Sequence, residues 1–317
     1  MLLEVDRVTK VYKGGLKAND DVTLTVDAGE VFGLLGPNGA GKTTVIGQIL
    51  GLLVPTSGTI RIDGIDVVRR PNIAREACSY QPQSSVPIDG LTPLQAIELA
   101  GRIRGGDRAR VRQRSRELID ALDLTEWQKK AATLSGGVSR LVAFCMAAVQ
   151  PGRIVILDEP TNDVDPLRRK FLWEQVRLLA DHGSAVLLVT HNVLEAERCV
   201  DRLAIVDGGR VVGSGTPASL KGDLGSWLHL ELFLEPGIDP PKLPSFFERP
   251  TTAGRRLIGE VAQGSIAKAV AWATKMRDQG TAEEFSLGPA TLEDVYVRHV
   301  GATNGDREDA PEPAVVG

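Results

Sequence analysis

One segment constrains this chain more than any other: Gly36-Pro37-Asn38-Gly39-Ala40-Gly41-Lys42-Thr43, with Thr44 directly behind it. It fits the spacing G-x-x-x-x-G-K-[ST]. It follows a short apolar run, VFGLL at 31–35, and precedes a helix-periodic stretch with apolar Val45, Ile46, Ile49 and Leu50. The glycines let backbone N–H groups converge on phosphate oxygens, and a helix N-terminus adds partial positive charge. Lys42 is a point charge for β and γ phosphates, and the Thr43 hydroxyl is a ligand for Mg²⁺. An ordinary glycine-rich turn is the competing reading. The motif in this strand-to-helix setting outweighs it.

Around this segment, strands and helices alternate. Residues 154–157 (IVIL) and 185–189 (AVLLV) are apolar on both faces, as strands of a parallel sheet covered by helices are, and 167–180 between them is of helix length. That order implies an α/β fold. Two stretches read as hairpins: Asp63-Gly64 between alternating apolar positions, and Gly208-Gly209 after Asp207. With 2–5 and 22–26 they point to an antiparallel β layer beside the parallel sheet. Composition turns Gly- and Ser-rich at 214–226, which reads as a boundary. Beyond it, 227–234 alternates like a strand, 266–276 is helix-like, 285–287 is a short strand and 292–300 is helical. This suffices for a small C-terminal α+β domain. The expected division is 1–225, 226–301 and a polar tail, 302–317, read as disordered.

The chain has 317 residues, room for two domains of roughly 100–200 residues each. With aromatics at only 4%, the core must come from Leu, Val, Ile and Ala. A net charge of −4 counts against a nucleic-acid partner, whose binding surface would be basic. Cys78, Cys145 and Cys199 form no C-x-x-C pair and read as reduced thiols of a cytosolic protein. The first ten residues carry charge too early for a signal peptide, and no apolar run nears the roughly 18 residues of a spanning helix. Any link to a membrane is therefore expected to run through a partner.

The apolar run at 154–157 ends in Asp158-Glu159. At a strand tip beside the phosphate loop, Asp158 is placed to hold Mg²⁺ through water, and Glu159 to orient and polarise an attacking water as general base. His191 follows the apolar run AVLLVT, at a strand C-terminus, where open α/β sheets carry their ligand sites. There its imidazole can meet the γ-phosphate. A lone structural histidine is the alternative.

These residues, joined by Leu134-Ser135-Gly136-Gly137, resemble the ATP-binding subunits of ABC transporters, whose signature begins LSGG. The resemblance covers about residues 1–225 and rests on five motifs in order. It implies a P-loop NTPase fold with a parallel-sheet core, an antiparallel β layer and a helical subdomain. It also implies ATP and Mg²⁺ as cofactors, and a second ATPase subunit, identical or different, packed head to tail. Ser135, Gly136 and Gly137 would then face the ATP of the other subunit from a helix N-terminus. Tyr12 matches the aromatic that stacks on adenine, a plain strand tyrosine being the other reading. Gln83 matches the glutamine that senses Mg²⁺ and links the site to the membrane partner, and Asp165 the subunit-contact loop. The region from 215 onward, with Leu292-Glu293-Asp294-Val295-Tyr296, is similar to the C-terminal part of daunorubicin-resistance-type exporter ATPases. By resemblance, then, the chain is an ATPase subunit of an ABC-2-type exporter, at the cytoplasmic face of a membrane through an integral permease subunit, with drug or antibiotic efflux among its possible cargoes.

The signature departs from the family at two positions. Val138 stands where Gln or Met is usual, and Leu141 where Arg is usual, which removes a fixed charge and its hydrogen bonds. Hydrolysis rate and subunit interface are the properties put in question. Arg102, Arg104, Arg108, Arg110, Arg112, Arg114 and Arg116 crowd the segment after 91–101. A solvated helix face is the leading reading of this run, with the transport partner or anionic headgroups as the sharper one. Two rival functions stay open: a soluble ABC-type ATPase acting on ribosomes or nucleic acid, and a regulatory nucleotide binder with little hydrolysis.

Overall fold

A computed structural model of the chain describes residues 1–84, 88, 90–127, 134–222, 227–289 and 291–296. It divides into two units, Met1–Pro217 and Ala218–Gly317. In the first, β1 (Leu3–Val11) and β2 (Lys17–Val26) precede β3 (Val31–Leu35), which runs into the phosphate loop and α1 (Lys42–Ile49). Next come β4 (Ser57–Ile62), β5 (Ile65–Asp66), α2 (Pro71–Ala77) and β6 (Cys78–Gln81). Three helices, α3 (Pro93–Ile103), α4 (Arg108–Ala121) and α5 (Gly136–Ala148), lead to β7 (Ile154–Asp158). After them come α6 (Pro166–Asp181), β8 (Ala185–Thr190), α7 (Val193–Cys199), β9 (Arg202–Asp207) and β10 (Arg210–Gly215), and the short α8 (Pro217–Leu220) begins at the unit's last residue.

The central sheet has the order β10-β9-β3-β8-β7-β6. Every residue of β3, β7 and β8 is buried, as parallel strands covered on both faces must be. The register aligns Leu35 with Thr190 and Asp158 with Val189, so the phosphate loop, the acidic pair and His191 leave the sheet at one edge. A separate antiparallel sheet, β2-β1-β4-β5, closes over the same core. Leu3, Val5, Val22 and Leu24 from it, Ile46 and Ile49 from α1, and Phe32, Ile156 and Leu187 from the central sheet form one apolar cluster. Each such side chain contributes roughly 1.5–3 kcal/mol on burial.

One expectation is corrected. The turn at 208–209 does join a hairpin, but β9 and β10 belong to the central sheet. β9 runs parallel to β3, with Leu34 opposite Ala204, and only β10 is antiparallel, at the edge. The reason is burial: five of the six residues of β9 are enclosed, and a strand returning after α7 finds its apolar partner at β3.

The arginine run is also not uniform. Arg104, at the C-cap of α3, turns inward and donates to the carbonyls of Cys78 (2.7 Å) and Gln150 (2.9 Å). Arg108, Arg112 and Arg116 recur at four-residue spacing along an exposed face of α4, the solvated face expected for the run.

In the second unit, β11 (Trp227–Leu234), β12 (Glu248–Ala253), β13 (Arg256–Ala262), α9 (Ile266–Asp278) and β14 (Ala282–Pro289) form an antiparallel sheet, ordered β12-β13-β11-β14, with one long helix. Leu230, Leu232, Leu257 and Val261 of the sheet pack with Ala269 and Ala273 of α9. The hairpin of β12 and β13, turning at Gly254, is not anticipated from the sequence, and β14 is longer than the expected 285–287. Residues 292–296 are helical. The rest of the helix expected at 292–300, the boundary residues 223–226 and the tail 302–317 lie outside the described residues.

Candidate active site

The phosphate loop is shaped by close backbone approaches. Gly41 sits at φ +99°, and a Cβ there would lie 2.2 Å from the Ala18 carbonyl oxygen, so only glycine fits. Asn19 Nδ2 donates to the Gly41 carbonyl (3.1 Å) and pins the loop to β2. Helices α3 to α7 each begin with a side chain that caps their first N–H groups, whereas the N-cap of α1, Gly41, has none, as is also so for α2 and α9. The N–H groups at the start of α1 are thus left for an anion. Lys42 folds back over the loop, its Nζ donating to the carbonyls of Gly36 (2.6 Å) and Pro37 (2.9 Å). Burial pulls its pKa below the usual lysine value, against the charges of Glu159 and Asp158, which push it up.

The acidic pair stands opposite. Asp158 is buried, and that burial, with the charge of Glu159, raises its pKa above the usual aspartate value. The Tyr80 hydroxyl donates to Asp158 Oδ2 (3.3 Å) and is itself pushed up to about 12, chiefly by burial. Glu159 sits at φ +51°, a left-handed conformation that turns its side chain out of the strand direction and toward the end of β8. Its Oε2 accepts from Thr190 Oγ1 (3.0 Å), and its Oε1 accepts from the His191 N–H (3.0 Å) and lies 2.7 Å from His191 Nδ1.

A cleft of about 470 Å³ brings together Tyr12, Asn38, Gly39, Ala40, Gly41, Lys42, Thr43, Thr44, Gln83, Asp158 and Glu159. Gly36 and Pro37 join it through Lys42, and His191 through Glu159. The Thr43 hydroxyl, the Gln83 amide and the Asp158 carboxylate supply the hard oxygen donors that Mg²⁺ takes beside phosphate oxygens, so the donor set fits that ion. Tyr12 lies at the mouth, its hydroxyl 3.5 Å from Thr44 Oγ1 and its ring under Lys10 Nζ at 5.4 Å.

The remaining candidates stand elsewhere in the first unit. Ser135 caps α5, its Oγ accepting from the Val138 N–H (3.4 Å), and with Gly136 it lines a second cavity of about 330 Å³. Gly137 is required by a close approach: a Cβ there would lie 2.2 Å from the Asp163 carbonyl oxygen. Asp165 is exposed and caps α6, accepting from the Arg168 N–H (3.0 Å), a bond that holds its carboxyl below the ordinary range. Leu141 is fully buried, while its neighbour Arg140 reaches the carbonyls of Gln83 (3.0 Å) and Glu159 (3.2 Å). Asn19, Tyr80, Arg140 and Thr190 thus support the site without having been anticipated. Arg140 lies inside the signature stretch 134–141, which gives it no role by itself, and no motif points to the other three.

A sheet with a phosphate loop after its central strand, and an acidic pair on a strand beyond the next one, defines a nucleoside-triphosphatase. Residues 19–162 match the ABC transporter family. The chain is 36% identical to the daunorubicin/doxorubicin resistance ATP-binding protein DrrA of Streptomyces peucetius, over 98% of this chain and 96% of that one. It is 34% identical to the Nod factor export ATP-binding protein I of Paraburkholderia xenovorans, over 94% of this chain and 97% of that one. A solved ATP-binding subunit of an ABC transporter superposes with a TM-score of 0.66 at 32% identity, over 71% of this chain and 94% of its own. A dimeric ATP-binding cassette in a post-hydrolysis state, bound to ADP and Pi, superposes at 0.59 and 27% identity, over 68% of this chain and 98% of its own. The chain belongs to the ATP-binding subunits of the ABC transporter family. It is an ATP-binding and ATP-hydrolysing subunit, and among its described residues no helix is long and apolar enough to cross a membrane.

Proposed function

We propose that this ATPase drives export through a separate integral membrane permease, as an ABC-2-type exporter subunit held at the cytoplasmic face by that partner. The observation that carries this is the near end-to-end match to two ATP-binding proteins named for drug resistance and for Nod factor export, a match that reaches past the ATPase unit into the C-terminal one. Drug or antibiotic efflux is the first cargo class to test. Residues 1–225 form the ATPase domain in this reading, and 226–301 a small accessory domain.

The division of labour in the cleft, in this reading, joins its chemistry to the roles that the family resemblance implies. The phosphate loop and Lys42 hold the β and γ phosphates, and Tyr12 packs on the base. Thr43, Gln83 and Asp158 would hold Mg²⁺, which when bound would neutralise charge developing on the phosphates. Glu159 takes the proton of the attacking water, and His191, held against Glu159 through Nδ1, presents its other ring nitrogen to the γ-phosphate. Ser135, Gly136 and Gly137 meet the nucleotide of a second subunit, and Asp165 lies on the contact between the two. The uncapped α1 and the separate signature cavity support this pairing, since each copy offers half of a phosphate site.

Affinity purification of the full-length chain from its own membranes tests the reading. Recovery of a stoichiometric integral membrane protein, whose candidate substrates raise ATP turnover, is the expected result. Recovery of ribosomes or nucleic acid instead overturns the transport reading and leaves the ATPase assignment standing.

A further inference from the structure

The guanidinium of Arg140 joins parts of the site that are far apart in sequence. Its Nη1 donates to the backbone carbonyls of both Gln83 (3.0 Å) and Glu159 (3.2 Å), so one nitrogen ties the loop after β6 to the turn after β7. Both hydrogens of that nitrogen are thereby used. Gln81 Nε2 donates back to the Arg140 carbonyl (3.4 Å), and the Arg140 side chain lines the same cavity as Ser135 and Gly136. The peptide it holds belongs to the residue at φ +51°, a conformation that a glutamate keeps only when its surroundings enforce it. Leu141, fully buried, is enclosed on a face that would not accept a charge. The arginine missing at 141 therefore has a counterpart one residue earlier, on the side of α5 that faces the acidic turn.

We propose that Arg140 is a positioning residue for hydrolysis: by clamping the Glu159 and Gln83 carbonyls together, it fixes the turn that aims the Glu159 carboxylate into the cleft, and it does so from the helix whose N-terminus carries Ser135 and Gly136. The guanidinium holds the two hydrogens of that nitrogen in a fixed plane, and a lysine, a point charge on a flexible stem, reproduces their directions only in part. The inference rests on the reading of Glu159 as general base.

The test uses the purified full-length chain and its Arg140→Ala, Arg140→Lys and Glu159→Gln variants. Phosphate release gives kcat and KM, equilibrium titration with MgATP gives affinity, and thermal unfolding reports the fold. Arg140→Ala is expected to lose at least tenfold in kcat with ATP affinity within about twofold of wild type. Arg140→Lys should fall between the two, at least threefold below wild type, and it carries the test if the alanine variant does not fold. Wild-type kcat in the lysine variant overturns the clamp, as does a rise in KM with kcat unchanged. Turnover persisting in Glu159→Gln defeats the base reading itself. A silent Glu159→Gln beside fully active Arg140 variants defeats only the role given to Arg140.

Discussion

Oε1 of Glu159 and Nδ1 of His191 lie 2.7 Å apart, at the ends of the adjacent strands β7 and β8. The same oxygen accepts the His191 backbone N–H, so the ring is tethered at both its backbone and its Nδ1. An ionised Glu159 accepts from Nδ1–H, which leaves Nε2 as the nitrogen turned away from it. The carboxylate and the imidazole are therefore a single built unit.

That unit sets the first expectation. His191→Ala should lower kcat by about 10²-fold while KM for ATP changes less than about threefold, because the proposed mechanism sets the ring on the reacting phosphate and not on the bulk of the nucleotide. Steady-state phosphate release by the purified chain measures both constants. A large KM rise at constant kcat contradicts the assignment.

Asp158 yields an expectation about stability. Burial and the charge of Glu159 raise its pKa in the fold, so the folded state binds protons more tightly than the unfolded state does. Stability from this group is therefore present below the unfolded value, about 3.8, and is lost as pH rises through the raised folded value. At neutral pH the carboxylate opposes the nucleotide-free fold. Asp158→Asn should raise the Tm of the nucleotide-free protein at pH 7, each kcal/mol recovered being worth about 2–4 °C, while MgATP no longer adds to it. Thermal unfolding between pH 4 and 7, with and without MgATP, checks both halves.

Gly137 should not tolerate a methyl group. Its Cβ would lie 2.2 Å from the Asp163 carbonyl oxygen, a backbone atom that cannot swing aside as a side chain would. Gly137→Ala should destabilise the protein by about 1–3 kcal/mol in urea unfolding and lower phosphate release through the displaced 163 turn. Gly136→Ala, whose Cβ comes no closer than 3.7 Å to Asp163, is the milder comparison for stability.

The arginine run separates into two kinds. Arg104→Ala removes donors from the Cys78 and Gln150 carbonyls and should destabilise by about 1–3 kcal/mol. The triple Arg108→Ala, Arg112→Ala, Arg116→Ala variant should stay within about 0.5 kcal/mol of wild type per site, as exposed positions do. Urea denaturation of the two proteins decides it.

Much of the site was legible because its chemistry is contiguous in sequence. The phosphate loop is eight consecutive residues, the acidic pair ends an unbroken apolar strand, and β3, β7 and β8 read correctly because strands buried on both faces are apolar throughout. The supporting contacts were not legible. Tyr80 reaches Asp158 across 78 positions, Arg140 reaches Gln83 across 57, and nothing in the spacing of a tyrosine or an arginine states which distant carbonyl or carboxylate it will meet. Strand β9 departs from the expected antiparallel layer for a related reason. A hairpin turn marks which two strands are joined but not which sheet the pair enters, and that is decided by the apolar partner the buried strand finds. A missing arginine at 141 reads as an unfilled charge only when positions are compared one by one, whereas a helix face can supply a guanidinium from the neighbouring residue.

On the proposed mechanism, the uncapped start of α1, Lys42 and the acidic pair capture a magnesium-complexed triphosphate. Calorimetric titration of the folded, full-length chain with MgATP tests it most directly. Saturable binding with Kd below about 1 mM, a free energy more favourable than about −4 kcal/mol, is expected, together with its loss in Lys42→Ala. Absence of any heat at millimolar MgATP, from protein that still unfolds cooperatively, would contradict it.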